Sequence, residues 1–223
     1  MSTNILICGV GGQGTVLAAK VIAQAALSKG ENVLSAETIG MAQRGGSVVS
    51  HVRIGEDVYS PLIAKKQADI VIAFETAEAV RNLPYLKSSG TVVVSRTVMQ
   101  PVTASLSGDF FDADEMITFL KKNARKVIAV DTESACRAIG NTKVVNMILL
   151  GAACGEGIFT KDELKAAVRS LVKPDFYAVN EQAIDSCGGF HSCGAAISTS
   201  THTGNYATQS GTMKGMKPDC DTL

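Results

Sequence analysis

The sequence lacks an excess of charge of either sign. Its 223 residues include 21 Lys and Arg and 21 Asp and Glu, and no basic run exceeds a few residues. This balance argues against nucleic acid and against an anionic membrane surface as partners. No apolar run is long enough to cross a bilayer, and the first apolar segment has the length of a strand rather than of a signal sequence. We therefore expect a cytoplasmic protein with no membrane contact.

Paired cysteines are also absent. The chain has 6 cysteines but no C-x-x-C pair, which excludes a zinc site of the usual spacing and a cluster-binding motif. Several of the cysteines lie inside apolar segments, where a free thiol behaves as a small core residue. Cys187, His191 and Cys193 are close in sequence, but no fourth ligand follows at a sensible spacing. We predict no metal site and a reducing compartment.

The most informative motif is a glycine turn near the amino terminus. An apolar strand over 5–8 runs directly into glycines with G-x-G-x-x-G spacing, and a helical pattern begins at once. The residues predicted to contact a ligand here are Gly9, Gly11, Gly12, Gln13 and Gly14.

Each glycine of the spacing has a physical reason. Gly9 makes the tight turn, Gly11 removes a Cβ so that a phosphate can approach the backbone, and Gly14 allows close packing of helix on strand. The free N–H groups and the dipole of the following helix form an anion site. The alternative is that Gly9 and Gly14 serve only the packing of helix on sheet.

A second candidate segment follows the predicted strand over 33–37. There the sequence Gln-Arg-Gly-Gly replaces the crossover helix of a dinucleotide-binding fold, which indicates an irregular loop. We expect Arg44, Gly45 and Gly46 to present one guanidinium and bare backbone together, as an anion site requires. The alternative is an exposed turn with an incidental arginine.

The remaining pattern predicts an α/β fold. Residues 48–54 alternate between apolar and polar, and a turn at 55–57 leads into 58–61, which predicts a hairpin. Buried strands are predicted over 69–74, 91–95 and 126–131, each followed by a helix. The sheet is therefore expected to be mostly parallel, with one hairpin.

The chain divides near residue 187. Up to residue 186 helices and strands alternate, whereas 187–223 is rich in Gly, Ser, Thr and Asn and poor in large apolar residues. We expect one folded domain over 1–186 and a polar tail outside it.

Several motifs in this order resemble those of one enzyme family. They are the glycine turn, an Ala-rich helix, Gln43 to Gly46, a Ser-x-Val-x-Arg-Ile strand (50–54), Ser60-Pro61, and Ala68-Asp69 before an apolar strand. Together they resemble the gamma-type subunit of the 2-oxoacid:ferredoxin oxidoreductases, most closely the indolepyruvate type, over residues 1–186. The resemblance implies a three-layer αβα sandwich, Rossmann-like, that docks on a larger subunit.

The resemblance also implies cofactors. In this family thiamine diphosphate decarboxylates a 2-oxo acid, iron–sulfur clusters pass the electrons to ferredoxin, and the acyl group is transferred to coenzyme A. This sequence has no thiamine-diphosphate motif, no cluster-spaced cysteines and no legible nucleophile–base pair. We therefore predict no catalytic residue, inactivity of the chain alone, and both cofactors on the partner subunit. The glycine turn and the Arg44 loop would hold coenzyme A phosphates.

Three other interpretations use the same glycine turn. A free-standing NAD(P)-dependent oxidoreductase would need a catalytic domain, for which few residues remain. An ATP-dependent adenylating enzyme of the ubiquitin-activating type usually has paired zinc cysteines, which are missing here. In a purely structural subunit the glycines would pack and nothing would bind.

Overall fold

The computed structural model describes residues 2–37, 45–100 and 110–189. Arg44 and the tail beyond residue 189 lie outside the described residues. The centre of the fold is one sheet of 6 strands in the order β2-β3-β1-β4-β5-β6. The strands are β1 (Thr3–Val10), β2 (Val33–Glu37), β3 (Ser47–Ile54), β4 (Ala68–Ala73), β5 (Leu86–Ser95) and β6 (Lys126–Val130).

Helices connect and cover these strands. They are α1 (Thr15–Ser28), α2 (Thr76–Asn82), α3 (Ala113–Asn123), α4 (Thr132–Ile139), α5 (Val145–Ala153), α6 (Lys161–Leu171) and α7 (Tyr177–Asp185). The sequence spacing Thr160-x-x-Glu163 predicts a capping box at the start of α6. It is present, with the Thr160 hydroxyl accepting from the Glu163 N–H at 3.2 Å and the Glu163 carboxylate accepting from the Thr160 N–H at 2.8 Å.

The sheet is mixed. Strands β1, β4, β5 and β6 run parallel, whereas β3 is antiparallel to both β1 and β2. The hairpin is therefore formed by β2 and β3, and the prediction that 58–61 pairs with β3 was wrong. Residues 55–64 form no strand, since Pro61 lacks an N–H and Arg53 holds the Ser60 carbonyl at 2.9 Å. Alternation identifies a strand but does not identify its partner.

Two helical layers enclose the sheet, which confirms the three-layer αβα architecture. Alternate residues of β1 point to opposite faces: Ile5 and Ile7 pack in the core beneath α1, α5, α6 and α7, and Leu6 and Cys8 in the core beneath α2 and α3. The almost wholly apolar α5 is buried inside the fold. A Cβ on Gly151 would lie 2.3 Å from a backbone oxygen of α7, so these two helices pack at minimal distance.

The core extends slightly beyond the predicted domain end. A short 3₁₀ turn covers Ser186–Gly189, and the buried Cys187 thiol donates a hydrogen bond to the Ile148 carbonyl at 2.9 Å. Cys187 therefore contributes to the core rather than to the polar tail. Within the described ranges, the helices are too short or too polar for any of them to traverse a bilayer.

Candidate anion-binding site

The candidate site lies at the carboxyl edge of the parallel strands, between β1 and β4. After β1 the chain enters α1 on one face of the sheet, and after β4 it enters α2 on the other face. Adjacent strands whose connections leave in opposite directions open a crevice at this edge, where α/β folds bind their ligands. The glycine turn forms one side of the crevice and the Glu75 turn forms the other.

Gly9 and Gln13 build the glycine turn. The Gln13 side-chain oxygen accepts the Val10 N–H at 2.7 Å, and the Gln13 N–H donates to the Val10 carbonyl at 3.2 Å. A Cβ on Gly9 would lie 2.7 Å from that side-chain oxygen and 2.9 Å from the Cβ of Phe74. The tight-turn role inferred for Gly9 thus has a direct steric reason, and Gln13 fixes the turn from within.

The structure brings the two predicted segments together. The Gly11 N–H donates to the Gly46 carbonyl at 2.8 Å, and the Gly45 N–H donates to the Gly11 carbonyl at 3.2 Å. These bonds place the Gly45–Gly46 backbone against the glycine turn, as expected for one shared site. Because these bonds use the Gly11 N–H, Gly11 offers no free donor to a ligand. What it would offer a ligand is the absence of a side chain. Arg44, which precedes this pair, lies outside the described residues.

Unpaired donors lie at the start of α1. Among the described residues, no hydrogen-bond acceptor is found for the N–H groups of Gly12, Gly14 and the first turn 15–17. Gly12 has φ +104° and Gly14 has φ +87°, and a Cβ on Gly12 would contact nothing within 4 Å. An open approach to free N–H groups at the positive end of a helix dipole is suited to a phosphate or carboxylate.

The opposite side of the crevice is already saturated. Glu75 is 2 % exposed, and its carboxylate accepts the N–H groups of Glu78 at 2.8 Å, Ala77 at 3.3 Å and Met99 at 3.3 Å. Burial raises the pKa of Glu75, and the neighbouring Glu78 raises it further. The hydrogen bonds from the three N–H donors lower this pKa and offset part of the rise. Glu75 therefore caps α2 and fixes the following loop.

A second buried carboxylate continues this network. Glu78 accepts the Ser47 hydroxyl at 2.6 Å and pairs with Arg81, which ties the start of β3 to α2. Beneath it the Cys8 thiol donates to the Glu78 carbonyl at 3.5 Å. Burial and the two nearby carboxylates raise the pKa of Cys8 well above its usual value, so this thiol is not activated as a nucleophile. Sequence reasoning missed Glu78 and Ser47, whose pairing depends on the sheet order.

Hydroxyl groups lie at the carboxyl end of β5 and bond to one another. The Ser95 hydroxyl lies 2.6 Å from that of Thr132 and 2.9 Å from that of Thr97, and the Thr76 N–H donates to the Thr97 carbonyl at 3.0 Å. These groups satisfy one another across β5, α4 and α2. They join the loops at this edge and do not form a nucleophile–base pair.

The metal-ligating candidates do not converge in the described part of the chain. Over those residues, no three His, Cys, Asp or Glu side chains form a group able to hold a metal ion. Cys187 is a core residue, whereas His191 and Cys193 lie outside the described residues. The arrangement present at the crevice is suited to binding an anion through backbone donors.

The comparisons with known proteins agree with this architecture. The family model of the pyruvate ferredoxin/flavodoxin oxidoreductases matches residues 4–187. The indolepyruvate oxidoreductase subunit IorB of Archaeoglobus fulgidus is 37 % identical over 187 residues, which cover 82 % of this chain and 92 % of that protein.

Solved structures share the fold. The gamma subunit of a keto/oxoacid ferredoxin oxidoreductase from Geobacter sulfurreducens matches with TM-score 0.60 and 24 % identity, over 83 % of this chain and 95 % of that one. The 2-oxoglutarate:ferredoxin oxidoreductase of Magnetococcus marinus, with 2-oxoglutarate, coenzyme A and succinyl-CoA bound, matches with TM-score 0.64 and 21 % identity, over 83 % of this chain and 30 % of that one.

The predicted resemblance to gamma-type subunits is therefore confirmed over the whole folded region. The family match begins inside β1 and ends at the buried Cys187, so it includes both sides of the crevice. On this evidence the chain belongs to the pyruvate ferredoxin/flavodoxin oxidoreductase family.

Proposed function

We propose that this chain is the accessory subunit of an indolepyruvate-type, or other aryl-pyruvate, ferredoxin oxidoreductase, and that its glycine turn binds phosphate groups of coenzyme A. The larger subunit would hold thiamine diphosphate and the iron–sulfur clusters, and ferredoxin would receive electrons from that subunit. The similarity to the IorB subunit supports the choice of substrate class. The free cysteines of the described residues suit a reducing cytoplasm.

The single observation that carries the phosphate assignment is the set of free N–H groups at Gly12, Gly14 and the first turn of α1. The open space at Gly12 lets a phosphate oxygen reach them, and the Gly45–Gly46 backbone borders the same turn. The residues present thus fit an anion and would hold it without a reacting side chain. The similar enzyme from Magnetococcus marinus contains coenzyme A, which is consistent with this ligand class.

The buried thiols and the two buried carboxylates near the crevice are poorly suited to covalent chemistry. Burial raises the pKa of the thiols of Cys8, Cys136, Cys154 and Cys187, and the Cys154 value reaches about 11. Glu75 and Glu78 are engaged in structural hydrogen bonds. The cofactors of the larger subunit would supply carbanion and electron-transfer chemistry. This chain would bind and orient the acyl acceptor.

Assembly with a larger thiamine-dependent subunit tests this proposal. We expect the purified chain to be colourless and to leave indolepyruvate unchanged, and the assembled complex to reduce ferredoxin. In that complex Arg44→Ala should raise the KM for coenzyme A while assembly stays intact. Turnover by the chain alone, visible cluster absorbance in it, or an unchanged KM would each contradict the corresponding part of the proposal.

A purely structural subunit is the second candidate, because packing explains part of the turn. Gly9 is required by the contact with Phe74, and the Gly11 backbone is already paired with the backbone of Gly45 and Gly46. This candidate predicts that neither coenzyme A nor inorganic pyrophosphate shifts the melting temperature of the chain. For the remaining nucleotide alternative, calorimetric titration compares NADH with adenosine diphosphate ribose, which lacks the nicotinamide; we expect the nicotinamide to add no affinity.

A further inference from the structure

We propose that a cleft beside the glycine turn, named here the amide cleft, binds the base of an adenine nucleotide. The cleft has a volume of about 210 Å³ and lies between the first turn of α1, the start of α5, and α7 with the turn before it. Leu17, Asn146, Phe176 and Asn180 are among the residues that line it. This inference deepens the proposed function, and its phosphate contact rests on that function.

The amide cleft is continuous with the glycine turn. Leu17 belongs to the first turn of α1, whose N–H groups have no acceptor within the described part of the chain. The Asn146 side-chain nitrogen would lie only 3.0 Å from a Cβ placed on Gly14. A ligand whose phosphate sits at the start of α1 can therefore place its remaining part in the cleft.

Asn146 presents an unused donor. The side chain is on the otherwise apolar face of α5 and the residue is only 3 % exposed. Its Oδ1 accepts the Met147 N–H at 2.9 Å, which fixes the orientation of the amide. Its Nδ2 has no acceptor among the residues that the structure describes. Asn146 lines the cleft, so an acceptor on a ligand can reach this unpaired nitrogen.

Asn180 presents an unused acceptor in the same cleft. The residue is 9 % exposed, and its Nδ2 donates to the Phe176 carbonyl at 2.7 Å. This bond leaves Oδ1 without a donor in the described ranges. The cleft thus contains one fixed amide donor and one fixed amide acceptor, from two different helices.

Adenine matches this pair of groups. Its N1 and N7 are acceptors, and its exocyclic N6 amine is a donor, so one edge of the base can use both amides. Hypoxanthine reverses this order, because it carries O6 as an acceptor and N1–H as a donor. Since the Met147 N–H and the Phe176 carbonyl hold the two amides in place, the cleft should distinguish these bases.

The walls and the rim suit the rest of a nucleotide. The Phe176 side chain lines the cleft with the residue 52 % exposed, which allows a base to stack on its ring. Lys143 lines the cleft and takes part in no ion pair among the described residues, so its ammonium can meet a phosphate. The volume is below the roughly 300–1,000 Å³ of pockets that enclose a drug-sized ligand, so the cleft suits one ring system.

Calorimetric titration of the full chain with adenosine 5′-monophosphate and inosine 5′-monophosphate tests this inference. The two probes share ribose and phosphate and differ only in the edge of the base. We expect the adenine nucleotide to bind at least tenfold more tightly. Equal affinities, or tighter binding of the inosine nucleotide, would overturn the assignment.

Surface variants locate the binding site. Phe176→Ala and Lys143→Ala should each weaken binding of adenosine 5′-monophosphate about fivefold or more, and both residues are exposed enough for the fold to tolerate the change. Phe119→Ala, at an exposed phenylalanine of α3 on the other face of the sheet, is the matched control and should have no effect. If neither cleft variant weakens binding of adenosine 5′-monophosphate, the inference is contradicted.

The two proposals fail in different ways. If the adenine nucleotide does not bind but Arg44→Ala still raises the KM for coenzyme A, the amide cleft assignment is wrong and the phosphate site stands. If the adenine nucleotide binds with the expected preference but the KM for coenzyme A is insensitive to changes at the glycine turn, the proposed function of the turn is wrong and the cleft assignment stands.

Discussion

The two sides of the crevice between β1 and β4 have opposite hydrogen-bonding states. On the β1 side, the start of α1 presents N–H groups without acceptors in the described chain, and the space beside Gly12 is open. On the β4 side, the Glu75 carboxylate is buried and already accepts three N–H groups. Both sides are helix starts, but only one is capped by its own side chain.

This difference indicates that the two helix starts have different roles. A helix that supplies its own carboxylate cap has its dipole neutralised and its donors used, so it stabilises the fold. A helix that begins with glycines in the left-handed region leaves its donors for another molecule. We therefore propose that the start of α1 binds a ligand and that the start of α2 supports the fold.

The largest expected effect is on stability at the saturated side. Glu75→Ala removes the acceptor of three N–H groups and should lower the free energy of unfolding by about 3 kcal/mol. Chemical denaturation of the full chain measures this loss of unfolding free energy. Asp112→Ala, at the exposed cap of α3, is the control and should cost about 1 kcal/mol. A smaller loss for Glu75→Ala than for the control would contradict a structural role.

Gly9 should be the next most sensitive position. Gly9→Ala places a Cβ 2.9 Å from the Cβ of Phe74, which is backbone-anchored and cannot rotate away. Overpacking of this kind costs about 2 kcal/mol, so the melting temperature of the full chain should fall accordingly. If Gly9→Ala folds as stably as the wild type, the turn is looser than its contacts indicate.

A substitution at Gly12 distinguishes an effect on ligand binding from an effect on stability. Gly12→Ala and Gly30→Ala, at opposite ends of α1, both place a Cβ in open space on a left-handed backbone, so each should cost about 1 kcal/mol. Only Gly12→Ala should abolish the rise in melting temperature that inorganic pyrophosphate gives the wild type. Equal responses of the two variants to pyrophosphate would move the anion site away from the glycine turn.

The smallest effect is a dependence of stability on pH. Burial raises the pKa of Glu75 above the 4.5 that is usual for an exposed glutamate, so the folded protein holds this proton more tightly than the unfolded chain. Stability should therefore decline as pH rises from about 4.5 through the raised pKa. The slope of unfolding free energy against pH over this interval should flatten in Glu75→Gln. An unchanged slope would show that Glu75 does not titrate there.

Much of the fold was predictable because local rules decided it. The glycine turn and the capping box of α6 depend on residues within a few positions of one another, and both were predicted from spacing. The partner of β3 was not predictable, because alternation defines a strand and its face but not its neighbour. The predicted pairing with 58–61 was wrong for this reason.

The candidate site divides in the same way. The glycines of the turn have an obvious signal in the sequence, whereas Asn146 and Asn180 are far from the turn along the chain. Asn146 does have one signal in the sequence, since it is a polar residue in an almost wholly apolar helix. The partner of the Gly11 N–H could not be inferred, because it depends on how β3 pairs with β1.

The most direct test of the account is the steady-state kinetics of the assembled enzyme with Gly12→Ala in this subunit. Coenzyme A would be varied at saturating 2-oxo acid and ferredoxin, with Gly30→Ala as the reference. If this chain binds the acyl acceptor and holds no reacting group, the KM for coenzyme A rises roughly tenfold and kcat is unchanged. A fall in kcat with an unchanged KM would contradict the account, because it would place part of the chemical step in this chain.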